Sequence, residues 1–151
     1  AEQVMDRLHD LLPDRFQLTP RLCRLSNGGY TDTQAPWISL GGTASLADFS
    51  KVTHTSADNR RFRLNLIIET QTPFEEFDWA GKHICIGDVE IEIIEPVGRC
   101  AAINVDPDTA NASQNHLRTM LQIYGHTNFG MFARIVQKGT LIQGANMHLI
   151  S

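Results

Sequence analysis

His83-Ile84-Cys85-Ile86-Gly87-Asp88-Val89-Glu90-Ile91-Glu92-Ile93-Ile94 is the stretch from which the fold is read. Two apolar runs rich in β-branched residues flank Gly87-Asp88. A two-residue turn of this kind joins antiparallel strands because glycine supplies the positive φ it needs. The spacing predicts a hairpin over residues 83–86 and 89–94, with Glu90 and Glu92 marking its wet face. A lone hairpin is barely stable in water, so the chain must offer further strands to cover the dry face.

Working outward, it does. Residues 61–69 alternate, with Phe62, Leu64, Leu66 and Ile68 on one side and Arg61, Arg63, Asn65, Ile67 and Glu69 on the other; the period of two predicts a strand. Pro96-Val97-Gly98 reads as a break, followed by a strand over residues 99–105 that ends at the turn-prone Asp106-Pro107-Asp108. Residues 129–136 are apolar on both faces, as a central strand requires, and Trp37-Ile38-Ser39-Leu40 suggests one strand upstream. Lys138-Gly139 and Gly144 punctuate two last short strands.

Helices fill the connections. Val4, Met5, Leu8, Leu11 and Leu12 recur at helical spacing before Pro13. Ser45-Leu46-Ala47-Asp48 has the spacing of a capping box, and Thr72-Pro73-Phe74-Glu75 predicts a turn of helix before Trp79. Leu117, Met120, Leu121 and Tyr124 lie at i, i+3, i+4 and i+7 with Gly125 as the stop, which predicts the longest helix over residues 113–124. Many short strands joined by a few short helices make this a mainly β chain, mostly antiparallel, with a barrel-like or sandwich-like core. Its 151 residues fit a single domain, residues 1–151, in which residues 1–36 are weakly organised.

Composition narrows the partners. A formal charge of −4 and a pI near 5.8 argue against nucleic acid or an anionic membrane surface, and no apolar stretch is long enough to span a bilayer. Cys23, Cys85 and Cys100 form an odd set without metal-knuckle spacing, which suits a reducing compartment; with no signal-peptide pattern, the cytoplasm is the expected location.

Two constellations could carry chemistry. On a strand over residues 61–69, Arg61, Arg63 and Asn65 would project together, either as a clamp for phosphate or carboxylate or as a solvated face paired with Glu69 or Glu90. Cys100 follows Gly98-Arg99, where the neighbouring cation would favour the thiolate that ligates metals; the alternative is a small buried apolar residue. The histidines lack zinc-ligand spacing, and hydrolase-elbow, P-loop and dinucleotide motifs are absent.

Read in order, Thr43-Ala44-Ser45-Leu46-Ala47-Asp48-Phe49, Arg61-Phe62-Arg63-Leu64-Asn65, Ile86-Gly87-Asp88-Val89, Gly98-Arg99-Cys100, Val105-Asp106-Pro107-Asp108-Thr109 and Gly139-Thr140-Leu141-Ile142-Gln143-Gly144 resemble the MOSC (molybdenum cofactor sulfurase C-terminal) domain pattern. Within that family the chain looks most like the mitochondrial amidoxime-reducing component and its bacterial relatives. The resemblance implies a MOSC-type β-barrel-like domain, with residues 1–36 as a remnant of the N-terminal β-barrel that longer members carry.

It also implies a molybdenum cofactor (molybdopterin) whose metal is held by Cys100. Arg63 and Asn65 would hold the pterin phosphate, and Thr43 and Ser45 match a segment that contacts the cofactor. Arg61 and Arg99 complete the candidate set. The implied reaction reduces N-hydroxylated compounds, with electrons from a separate ferredoxin-, flavin- or cytochrome b5-like protein. The same resemblance leaves two other outcomes open: a non-redox sulfur carrier using the Cys100 thiolate, and a cofactor-free interaction domain.

Overall fold

The computed structural model describes residues 35–150, so the helix expected near the N-terminus lies outside the described residues. Pro36–Ser151 forms one compact unit. In chain order the described part comprises β1 (Ile38–Gly42), α1 (Thr43–Thr53), a 3-10 turn (Asn59–Phe62), β2 (Leu66–Ile68), a 3-10 turn (Glu75–Trp79), β3 (His83–Ile86), β4 (Val89–Gly98), a 3-10 turn (Ala101–Asn104), α2 (His116–Tyr124), β5 (Asn128–Gln137) and β6 (Met147–Ile150).

The hairpin forms as expected. Cys85 faces Glu90 and Ile86 faces Val89, with Gly87 at φ +58°. Ile84, Val89, Ile91 and Ile93 are buried, while Glu90 pairs with His83 and Glu92 with Arg134 on the other face. Around it a six-stranded sheet runs in the order β2-β1-β5-β4-β3-β6, antiparallel except for β1 and β2. That parallel pair needs a crossover, which α1 supplies. Residues of both edge strands, Leu66–Ile68 of β2 and Met147 of β6, line one cleft of about 870 Å³, so the sheet curls into an incomplete barrel.

Two cores result. Leu40, Trp79, Ile84, Ile91, Ile93 and Met131 fill the concave sheet, whereas Leu46, Phe49, Phe62, Ile103, Met120 and Phe129 join the helices to the end of β5. In the second core Phe62 stacks on Phe129, ring centroids 3.7 Å apart, and Phe49 meets both edge-on. Gly130 lets β1 approach β5, since a Cβ there would fall 2.3 Å from the Leu40 carbonyl oxygen.

Five sequence-based expectations need correction. Residues 61–69 are not one strand: Asn59–Phe62 is a 3-10 turn, Arg63 is left-handed at φ +50°, and only Leu66–Ile68 is extended. Pro96 does not break the sheet, because β4 continues to Gly98 with pairing irregularities on either side of Pro96, where a residue without N–H is tolerated. Residues 99–105 turn into the Ala101–Asn104 helix rather than a strand.

The helix predicted over residues 113–124 is His116–Tyr124, shorter than α1 among the described residues. Asn115 explains its late start, since its side chain accepts from the Arg118 amide and caps the helix there. Of the two last strands, Met147–Ile150 is the one seen among the described residues.

Candidate cofactor site

Cys100 lies just past the end of β4, with an exposed side chain. Its neighbour fixes the backbone there. The Arg99 amide donates to the Thr127 carbonyl at 3.0 Å, carrying the β4–β5 pairing one residue further. The Arg99 guanidinium turns inward: Nε and Nη2 donate to the Phe129 carbonyl at 2.9 and 2.5 Å, and Nη1 to the Phe62 carbonyl at 2.7 Å. The group also lies 5.7 Å from the centre of the Phe62 ring. Burial pulls its pKa down to about 10 against the Coulombic pull of Cys100, so it remains a cation at neutral pH.

Arg99 is thus a clamp that holds Cys100 and contributes no free donor fork. One consequence is proximity, because the Phe62 carbonyl immediately precedes Arg63. The Arg63 side chain is exposed and makes no hydrogen bond or ion pair with another described residue. Asn65, also exposed, turns its Oδ1 to the Ser39 amide at 2.8 Å and lines the 870 Å³ cleft together with Thr43. Neither Arg63 nor Cys100 lines that cleft.

Arg61 departs from its partners. The 3-10 turn sends it into the protein, where Nη1 donates to the carbonyls of Ile103 and Val105 at 2.9 and 2.8 Å and Nη2 meets Asp106 at 3.3 Å. Arg61, Arg63 and Asn65 therefore do not share a sheet face; only Arg63 and Asn65 reach the surface. Asp106 is anchored in turn by the backbone amides of Asp108 and Thr109 and by the Thr109 hydroxyl, and these bonds hold its carboxyl below the usual range. The segments containing Arg61, Arg99-Cys100 and Asp106-Pro107-Asp108-Thr109, distant in sequence, are joined by these two arginines.

The start of α1 is built by residues that sequence reading misassigned or missed. Ser45 is not a cap: the helix starts at Thr43, and its N-cap is Gly42, which has no side chain to cap with. The buried carboxylate of Glu76 takes that role, accepting from the Gly42 amide at 3.1 Å and from the Ser45 hydroxyl at 2.9 Å. Negative charge suits that end of a helix. Ser45 also accepts from the Phe74 amide at 2.8 Å, so its hydroxyl is committed within the protein. A Cβ on Gly42 would lie 2.5 Å from Thr70 Oγ1 and 2.8 Å from Glu76 Oε2, which explains the glycine. Thr43 is exposed, and its Oγ1 accepts from the Thr70 amide at 3.1 Å. The only hint in the sequence was a pair of acids, Glu75-Glu76, with nothing to say which one turns inward.

The curled, mostly antiparallel sheet sets the fold class, and comparison supplies the family. The chain belongs to the MOSC domain family, which it matches over residues 34–148. It is 39% identical over 74 residues to the molybdenum cofactor sulfurase of Danio rerio and 40% identical over 73 residues to molybdenum cofactor sulfurase 3 of Aedes aegypti. Each match covers 48% of this chain but only 9% of the sulfurase. Among solved structures, YiiM from Geobacillus stearothermophilus and YiiM from Escherichia coli share the fold, with TM-scores of 0.57 and 0.53 at 17% identity, covering 76% of this chain and 54% of theirs.

Proposed function

We propose that this MOSC domain binds the molybdenum cofactor, with the Cys100 thiolate as metal ligand and Arg63 and Asn65 gripping the pterin phosphate. The observation that carries this reading is the Arg99 clamp, which holds an exposed thiol at a strand end and ties it to the turn that presents an unpaired guanidinium. A soft sulfur donor suits a molybdenum centre, and a free Arg fork suits a phosphate. Cys100 offers a single soft donor, so a metal held there would bring ligands of its own, as a pterin-bound metal does.

The fit narrows the candidate set. Ser45 and Arg99 spend their polar atoms inside the protein, and Arg61 turns inward, its two terminal nitrogens bonded there. Thr43 and Asn65 stand at the rim of the large cleft, which is lined by Leu66, Ile67, Ile86, Leu141 and Met147 and could take the apolar part of a substrate. The bound cofactor would supply two-electron reduction of an N-hydroxylated compound to the amine or amidine, with release of water. A separate donor protein would provide the electrons. The protein's own part is to ligate the metal and to anchor the phosphate.

A second reading has its own support. The matched relatives carry the name sulfurase, and an exposed thiolate can attack the outer sulfur of a donor persulfide and keep it as a new persulfide while the donor's thiolate leaves, with no net redox change. Metal and pterin content of protein made in a cofactor-competent host, beside mass analysis of Cys100, separates the two. Molybdenum and pterin retained through Cys100 and Arg63 support cofactor binding; a persulfide on Cys100 in metal-free protein supports sulfur carriage. No helix of the described residues is long and apolar enough to cross a membrane.

A further inference from the structure

A second, smaller cavity of about 170 Å³ lies under the 104–115 loop, lined by residues that include Arg61, Asn104, Asp106, Asn111, Ser113 and His116. Two of its walls are buried polar groups with spare hydrogen-bonding capacity. His116 is only 2% exposed; its ring packs 5.4 Å from Phe49, and neither ring nitrogen bonds to another described residue. Arg61 is 6% exposed, and its Nε is buried without a partner. A buried polar group left unpaired is costly, so the unpaired Arg61 Nε beside a cavity that the unbonded His116 ring also lines points to a ligand there.

The inventory of free atoms says what. Asn104 Oδ1 already accepts from the Leu117 amide and Asn111 Oδ1 from the Ser113 amide, which leaves their Nδ2 donors. Asp106 is largely committed, its Oδ1 taking three donors and its Oδ2 taking Arg61. The cavity also lies at the N-terminus of α2, the positive end of that helix. The Arg61 guanidinium lies close enough to His116 that its charge, after burial itself, lowers the imidazole pKa. Free amide donors, a buried guanidinium and a helix N-terminus suit a ligand rich in acceptors.

We infer that the cavity bounded by Arg61, His116, Asn104, Asn111 and Ser113 is a binding site for a small inorganic oxyanion of the size of phosphate or sulfate, separate from the Cys100 site. His116 would give one N–H and the asparagines their amides, beside the Arg61 charge. The site does not depend on cofactor binding at Cys100.

The ring nitrogens of His116 provide the test. Full-length protein with 15N-labelled histidine is titrated at pH 7.5 with inorganic phosphate, with sodium chloride at matched ionic strength as control. The expected result is a saturable shift of the His116 ring signals with phosphate and with sulfate but not chloride, unchanged in Arg63→Ala and weakened at least fivefold in Asn111→Leu, whose position is exposed. Arg61→Gln should abolish it if that variant folds. No saturable shift overturns the site. So does a shift that survives Asn111→Leu but disappears in Arg63→Ala, because the anion would then be seated at the surface guanidinium.

Discussion

The guanidinium of Arg99 donates to the carbonyl of Phe62 at 2.7 Å, so one side chain ties the strand end that presents Cys100 to the turn that presents Arg63. Hydrogen bonds to a charged group are worth about 1.5–3 kcal/mol each and are not additive. Arg99→Ala should therefore cost roughly 3 kcal/mol in urea unfolding, well above an ordinary surface substitution. Arg99→Lys should recover only part of this, since an ammonium cannot reproduce the planar fork shared between Phe62 and Phe129. A loss within 0.5 kcal/mol for Arg99→Ala would show that the clamp is incidental.

Stability should also fall on mild acidification through His116. Burial first, and the charge of Arg61 second, hold its pKa below the ordinary 6.5. The unfolded chain then binds the proton at higher pH than the folded one, so stability is full above about 6.5 and is lost as pH drops through that value toward the folded pKa. Asp106 behaves differently: its carboxyl is held low, so its contribution is lost only below about its ordinary 3.8. Unfolding midpoints measured from pH 7.5 to 5 should decline in the wild type and decline less in His116→Phe; equal slopes would remove His116 as the cause.

The two described thiols should differ in reactivity. Cys100 is exposed beside a cation, whereas Cys85 is half-buried in β3 between two neighbouring strands. In a Cys23→Ser background, a disulfide reagent should modify Cys100 several-fold faster than Cys85. Peptide mapping of the first label identifies the site, and initial labelling at Cys85 would contradict this ranking.

What could be read from the sequence followed from period and turn chemistry. The β3–β4 hairpin was legible because Gly87-Asp88 leaves the backbone few choices, and β5 because an apolar run on both faces suits a central position. The alternation over residues 61–69 misled for a physical reason. Phe62 and Leu64 are apolar to fill a core beneath a 3-10 turn, not because the backbone is extended, and a left-handed Arg63 leaves no mark in a hydrophobicity pattern.

The same limit applies to the site. Cys100 and Arg63 stood out by their neighbours in sequence. The inward turn of Arg61, the spent donors of Arg99 and the carboxylate of Glu76 at α1 are all long-range pairings, which local spacing does not encode.

The most direct test of the central claim is the molybdenum and pterin content of the full chain, expressed in a cofactor-competent host, for wild type, Cys100→Ser and Arg63→Ala purified side by side. Cofactor bound to the wild type should fall to background in Cys100→Ser, which removes the soft ligand at nearly constant volume, and should weaken in Arg63→Ala by about 1.5–3 kcal/mol, the range for a hydrogen bond to a charged group. Equal cofactor content in the wild type and Cys100→Ser, with both folded, would contradict the assignment of Cys100 as the metal ligand.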